Sequence, residues 1–330
     1  MIARIVVTLL AAALAMPAQA QTTKQPAKPA PKSPAAAPAQ TPTPPPPEGD
    51  VAFGAYQKGN YLTALVEATK RMEENNDPKA MALLAELYAN GLGVPLNEAK
   101  AVELYKRAAD RGDRESMFQL GLMRFSGRGG KRDPDEAAKL FAAAAKLGNP
   151  AAAYNLALLY LEGQAFPQDF ARAAELFRAA AGAGSPEAQY ALATLYKEGR
   201  GVDKDPREAA RWLAAAVAGG NRDAEVEYAI ALFNGNGVAK DEAKAAAIFL
   251  KSARQGNPIS QNRLAHILFR GRGLPADPVQ AAQWHLIAKA AGNSDIALDE
   301  LVAQLKPEDR AAADKAAKPW LDYIAGARRR

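Results

Sequence analysis

The chain has 330 residues, 48% of them apolar but only 7% aromatic, so it can bury a substantial core, and that core favours closely packed, alanine-rich helices over large aromatic side chains. It has no cysteine, which excludes disulfides, thiolate catalysis, zinc–thiolate sites and a lipid-modified cysteine. The net charge of +6 is too mild to argue for a polyanionic partner by itself.

The first element is "MIARIVVTLLAAALAMPAQA", residues 1–20: one arginine, an apolar-to-neutral run from Ile5 to Met16, then Ala18-Gln19-Ala20. This pattern reads as a secretory signal peptide cut after Ala20, which predicts a periplasmic or secreted protein. The competing reading, an uncleaved anchor, needs about 20 apolar residues, and no later segment supplies a span. Residues 21–50 carry ten prolines, including Pro44 to Pro47, and read as a disordered proline- and alanine-rich spacer. A polyproline ligand for a partner groove is the functional alternative. Residues 51–76 read as a capping helix hairpin turning at Gly59-Asn60.

From residue 77 a grid takes over. Gly91, Gly127, Gly163, Gly199, Gly235 and Gly271 recur every 36 residues, as do Gly112, Gly148, Gly184, Gly220, Gly256 and Gly292. A period of this size means stacked supersecondary units. Asp77, Asp113, Asn149, Ser185, Asn221, Asn257 and Asn293 form one column of helix-capping side chains. Asn97, Asp133, Asp169, Asp205, Asp241 and Asp277 form a second, so each period holds two helices. In the first helix Leu84, Leu120, Leu156, Leu192 and Leu264 share a column. In the second, Leu104, Leu140, Leu176, Trp212, Ile248 and Trp284 form a large column, and Ala101, Ala137, Ala173, Ala209, Ala245 and Ala281 a small one that lets a neighbouring helix approach. Residues 294–330 read as capping helices, the second opened by Pro307, with a basic tail from Arg328 to Arg330.

The stretch "AQYALATLYKEGRGVDKDPREAARWLAAAVAGGN", Ala188 to Asn221, resembles the Sel-one-like repeat (SLR) family, relatives of tetratricopeptide repeats with a longer loop between the two helices. The resemblance covers residues 77–293 in six copies. Departures are local: Ala165 and Phe166 replace a Gly-Val pair, and Arg124 and Leu232 replace a tyrosine. The resemblance implies an all-α fold, a right-handed superhelical α/α solenoid of about six 36-residue helix-hairpin repeats with terminal caps. Together with the signal-peptide pattern, it leads to the expectation of a monomeric, non-enzymatic scaffold of the cell envelope, without a cofactor, that binds a protein on its concave face. That face would be lined by Phe118, Leu122, Phe125, Tyr154, Leu158, Glu162, Tyr190, Thr194 and Lys197, then by Val226, Ile230, Phe233, Asn262, His266 and Arg270. The aromatics at Phe118, Tyr154 and Tyr190 have an equal alternative, packing between neighbouring repeats.

Other chemistry has less support in the residues. The loop "GRGVDKDP" mixes glycines with charges as phosphate and calcium loops do, but a helix precedes it and lysine and proline interrupt the acidic positions. His266 and His285 lie on different helices without a local metal-ligand pattern; His285 shares a column with Tyr105, Phe141, Phe177, Leu213 and Phe249 and reads as a packed histidine. No serine starts a Ser-x-x-Lys or sits in Gly-x-Ser-x-Gly. Some cysteine-rich SLR relatives are linked to penicillin binding or hydrolysis, and this chain lacks their cysteines. Arg128, Lys131, Arg132, Arg200, Lys204, Arg270 and Arg272 make the inter-helix loops basic. They are the basis of an alternative reading, a factor associated with envelope polysaccharide or peptidoglycan. Nucleic acid is not an expected partner of an exported protein.

Overall fold

The computed structural model describes residues 50–163 and 165–327; the segments read as a signal peptide and a spacer, up to residue 49, and the terminal arginines lie outside the described residues. Among the described residues there are sixteen helices and no strand, so the chain is all-α, a solenoid of consecutive helix hairpins. It divides into two compact units, residues 1–140 and 141–330.

The first unit opens with α1 (Val51–Gln57) and α2 (Tyr61–Asn75), joined through Gly59 in the left-handed conformation. Asp50, the last residue of the proline-rich stretch, belongs to the fold: it caps α1 by accepting the Phe53 N–H at 3.0 Å and pairs with Arg71 at 2.5 Å. Arg71 also pairs with Asp77, the cap of α3 (Pro78–Asn90). A single guanidinium on α2 therefore ties down two helix starts. Next come α4 (Glu98–Ala109) and α5 (Arg114–Ser126), and the unit ends within α6 (Pro134–Lys146). Leu84, Leu87, Leu104, Tyr105, Leu120 and Met123 close around Ala101 in one core. Tyr105 donates its hydroxyl to Glu86 at 2.7 Å, and burial together with that carboxylate pushes the phenol far above its ordinary range. The sequence departure at Arg124 is compensated: where Tyr88 accepts from Lys100 at 2.8 Å, Arg124 pairs one period later with Glu136 at 2.9 Å.

The second unit runs through α7 (Pro150–Glu162), α8 (Phe170–Gly182), α9 (Pro186–Glu198), α10 (Pro206–Ala218), α11 (Arg222–Asn234) and α12 (Glu242–Arg254). It continues with α13 (Pro258–Arg270) and α14 (Pro278–Ala290), and ends with α15 (Ile296–Ala303) and α16 (Pro307–Ala327). Each helix from α7 to α14 packs on the next, and α14 also carries α15 and α16, the latter partly through Trp284 against Trp320 at 5.9 Å. The alanine column is buried throughout, at Ala173, Ala209, Ala245 and Ala281. The large column is corrected, being only partly buried. Leu104 and Trp284 are buried, whereas Leu176, Trp212 and Ile248 are half-buried, and the next residue, at Phe177, Leu213, Phe249 and His285, is the consistently buried position. The reason is helical geometry: Phe177 follows Ala173 by four residues and lies in the same stripe, while Leu176 falls on its flank. A second correction concerns Asn293, which starts no helix. Its amide donates to the Pro258 carbonyl at 3.0 Å, and Asp295 caps α15 instead.

One hydrogen bond of the loop between the two helices recurs in all six copies. The N–H of the second cap (Asn97, Asp133, Asp169, Asp205, Asp241, Asp277) donates to a carbonyl in the last turn of the first helix at 2.7–3.0 Å. The opening glycine ends the first helix in the left-handed conformation, as Gly199 does at φ 72° with its N–H on Leu195. The next glycine has another task. A Cβ on Gly201 would stand 2.2 Å from the Phe170 carbonyl, and one on Gly237 would stand 1.8 Å from the Pro206 oxygen. In the copies that carry this glycine, the position presses against the start of the second helix one repeat earlier, with no room for a methyl group at Gly201 or Gly237; the third copy has Ala165 there.

Candidate partner-binding site

The fifteen side chains expected on the first-helix face divide by exposure. Phe118 (4%), Leu158 (3%) and Val226 (6%) are buried, and Asn262 is 9% exposed. Phe118, Leu158 and Val226 are large apolar groups that gain most by leaving water; Val226 packs with Ala229, Leu232 and Phe249. Asn262 donates to Asp295 at 3.0 Å. These four support the fold and offer no contact surface. Leu122 and Phe125 in the first unit are half-buried, with the Arg132 guanidinium 5.2 Å over the Phe125 ring.

In the second unit Tyr154, Tyr190, Thr194, Ile230, Phe233 and His266 are half-buried, and Glu162, Lys197 and Arg270 are exposed. Tyr154 packs on Phe177 with ring centroids 5.6 Å apart, and Tyr190 packs beside Leu213 and Ala193. Both aromatics thus lean on their own hairpin and show part of their rings. Burial, then Glu227, Asp223 and Glu198, push the Tyr190 phenol up to about 12; burial and Glu187 raise Tyr154, and burial raises the Glu162 carboxyl. Lys197 on α9 reaches Glu227 on α11 at 3.0 Å, bridging consecutive first helices. The Thr194 hydroxyl turns back to the Tyr190 carbonyl at 3.0 Å.

Four of the expected residues, Ile230, Phe233, His266 and Arg270, converge on one cleft of about 170 Å³. Asn234, Phe249, Arg263, Ile267 and Arg272 complete it. Ile230, Phe233, Phe249 and Ile267 make an apolar floor, and Arg263, His266, Arg270 and Arg272 stand around it. Arg263 was missed from the sequence, although its signal was present: with His266 and Arg270 it falls at i, i+3 and i+7, one face of α13.

The charges at the cleft are unequal. The Nε2–H of His266 donates to Asp295 at 2.8 Å, and Asp295 also accepts from Asn262 and from the Leu298 N–H. Burial alone would raise this carboxyl, but the Asn262, His266 and Leu298 hydrogen bonds outweigh it and hold it well below the usual carboxylate range. Arg272 pairs with Glu242 at 2.5 Å and lies 4.4 Å over the Phe233 ring. Arg263 and Arg270 are exposed, and among the described residues neither has a carboxylate at ion-pair distance. Two unneutralised cations therefore flank an apolar floor.

The remaining loop cations are largely engaged by the fold. Arg128 pairs with Glu98 at 2.7 Å and donates to the Ala89 carbonyl; Arg200 lies 4.0 Å over Phe170. Both reach the first turn of the second helix one repeat earlier, beside the tight glycine. His285, 1% exposed at its side chain, donates to Asp299 at 2.7 Å. Both histidines of the chain thus bond aspartates at the start of α15, its cap Asp295 and Asp299. Such an arrangement can hold a ligand by shape, apolar contact and charge.

The profile of the Sel1 repeat family matches residues 78–113, 114–149, 150–185, 186–221, 222–257 and 258–293. Among solved structures, the Sel1 repeat protein from Oxalobacter formigenes is similar at 29% identity and a TM-score of 0.60, over 73% of this chain and 98% of that one. The uropathogenic Escherichia coli protein c5321, a protective antigen with an SLR fold, is similar at 25% identity and a TM-score of 0.58, over 84% of this chain and 69% of that one. No curated protein matches the chain.

Proposed function

The chain belongs to the Sel1 repeat family, and from that premise we propose that it is a non-enzymatic scaffold of the cell envelope that holds a protein partner on the first-helix face of its second unit. Sel1 repeat proteins act in protein–protein interaction. The observation that carries the specific reading is the strip of half-exposed side chains from Tyr154 through Tyr190 to Ile230 and Phe233, which ends in the cleft of α11 and α13. Aromatic and aliphatic anchors with a polar surround suit a partner's helix or extended segment. Export is supported by the first twenty residues, and among the described residues no helix is long and apolar enough to cross a membrane.

The polysaccharide reading loses ground because Arg128 and Arg272 are committed to Glu98 and Glu242, and Arg200 to the Phe170 ring. The test is photo-crosslinking in the cell from a probe at Tyr190. Capture of one discrete protein, lost on Phe233→Asp, is the expected result; capture of only the bulk envelope proteome would remove the main support. Steep salt dependence abolished by reversing Arg128 and Arg272 would favour an anionic polymer. Covalent labelling by a penicillin probe would favour a hydrolase.

A further inference from the structure

We propose that the cleft of α11 and α13 reads an acidic segment of the partner, taking one large apolar side chain between Ile230 and Ile267 while Arg263 and Arg270 each receive a carboxylate. The inference rests on the scaffold reading and gives the partner a chemistry.

Size comes first. A cavity of roughly 150 Å³ holds a benzene ring, so the 170 Å³ here suits a single leucine, isoleucine, methionine or phenylalanine side chain. The floor is aliphatic and aromatic, so a sugar would bury hydroxyls without partners, at a cost an apolar side chain avoids.

Charge comes second. Four basic groups surround the cleft, and they differ in how far the fold has already used them. Asp295 accepts hydrogen bonds from His266, Asn262 and the Leu298 N–H, and Glu242 is paired with Arg272 and Lys240. Both carboxylates are thus engaged by other donors and do not compete for Arg263 and Arg270. Those two guanidiniums remain available for bidentate pairing with carboxylates.

Spacing comes third. Arg263 and Arg270 are seven residues apart on one helix, about 10 Å along its axis at 1.5 Å per residue. An extended peptide covers that distance in about three residues. The expected recognition element is therefore two acidic residues about three positions apart with a large apolar residue between them.

The test is selection of a random twelve-residue peptide display library on the full-length protein, followed by binding of the winning peptide as a fluorescent probe. Enrichment of the acidic–apolar–acidic element is expected, with affinity falling at least tenfold for R263E/R270E and for Ile230→Glu. The two arginines are exposed, so R263E/R270E should keep the native helical spectrum. It should also gain affinity for the same peptide with its acids changed to lysine, which a misfolded variant would not.

No enrichment, enrichment without acidic residues, or an affinity indifferent to R263E/R270E would overturn the inference, as would polygalacturonate displacing the peptide at equal charge concentration. The two readings fail separately. A discrete partner captured at Tyr190 with a failed selection leaves the scaffold and removes the acidic segment; a successful selection with only bulk capture at Tyr190 does the reverse.

Discussion

Gly199, Gly201 and Gly220 have φ of 72°, 71° and 86°, so replacing each by alanine imposes a similar backbone penalty, about 1–2 kcal/mol for an L-residue in the left-handed region. Their surroundings differ. A Cβ at Gly220 meets nothing within 4 Å, one at Gly199 meets the Lys204 Cβ at 3.1 Å, and one at Gly201 lands 2.2 Å from the Phe170 carbonyl carbon and oxygen. The first two substitutions should cost little beyond the backbone term, with a small added strain at Gly199, where the Lys204 Cβ must shift slightly. Gly201→Ala must also push two backbone segments apart, which adds about 1–3 kcal/mol, the usual cost of overpacking. The expected order of loss is Gly201→Ala well above Gly199→Ala, with Gly220→Ala least. Urea unfolding followed by circular dichroism gives the order, and hydrogen exchange at the start of α8 locates the damage, since a repeat array need not unfold in two states. If Gly201→Ala were no more destabilising than Gly220→Ala by at least about 1 kcal/mol, the contact between loop and neighbouring helix would be wrong.

Asp205→Ala removes an acceptor for the N–H groups of Arg207 at 2.8 Å and Glu208 at 3.2 Å and should cost about 1 kcal/mol by thermal melting. Phe177→Ala empties a fully buried position in the second unit and should cost about 3–5 kcal/mol in a denaturant titration. Asp295 and Asp299 both titrate below the ordinary carboxylate value of 3.8, the latter because of hydrogen bonds from His285 and Lys289. A depressed folded pKa gives stability that is present above 3.8 and lost as pH falls through the lower folded value. Below about pH 4, hydrogen-exchange protection in α15 should therefore fall before that in α9, and Asp299→Asn should flatten this acid response.

What the sequence made legible was whatever the chain states locally and repeats. Caps such as Asp205 act within three residues, and the alanine column reports a stripe that every copy shares, so both were readable from spacing. The burial of Leu158 and Val226 was not, and that of Phe118 was only one of two equal readings, because a side chain's exposure depends on how close the neighbouring repeat comes. The separate tasks of Gly199 and Gly201 were hidden for the same reason: the sequence shows one turn, while the contact that distinguishes them lies 31 residues away at Phe170. His285 was legible as a packed histidine, yet the partners of His266 and His285 lie 29 and 14 residues further on, at the cap and within α15, outside the repeat grid. The cleft combines both cases, with Arg263 legible in hindsight from helical spacing and its apolar floor assembled only by the packing of α11, α12 and α13.

The seat that each tight glycine needs is made earlier in the chain than the glycine itself. Gly93 rests on Tyr61 and Gly129 on Glu98, while Gly201 rests on Phe170, Gly237 on Pro206 and Gly273 on Glu242. As the polypeptide leaves the ribosome amino end first, the helix end that receives a loop already exists when the loop arrives. Growth within each unit can thus proceed by adding one hairpin to a finished edge. The two ends of the chain are unequal as a result: trimming repeats from the carboxyl end leaves every surviving loop seated, whereas trimming from the amino end deprives the first surviving loop of the surface it was shaped to meet.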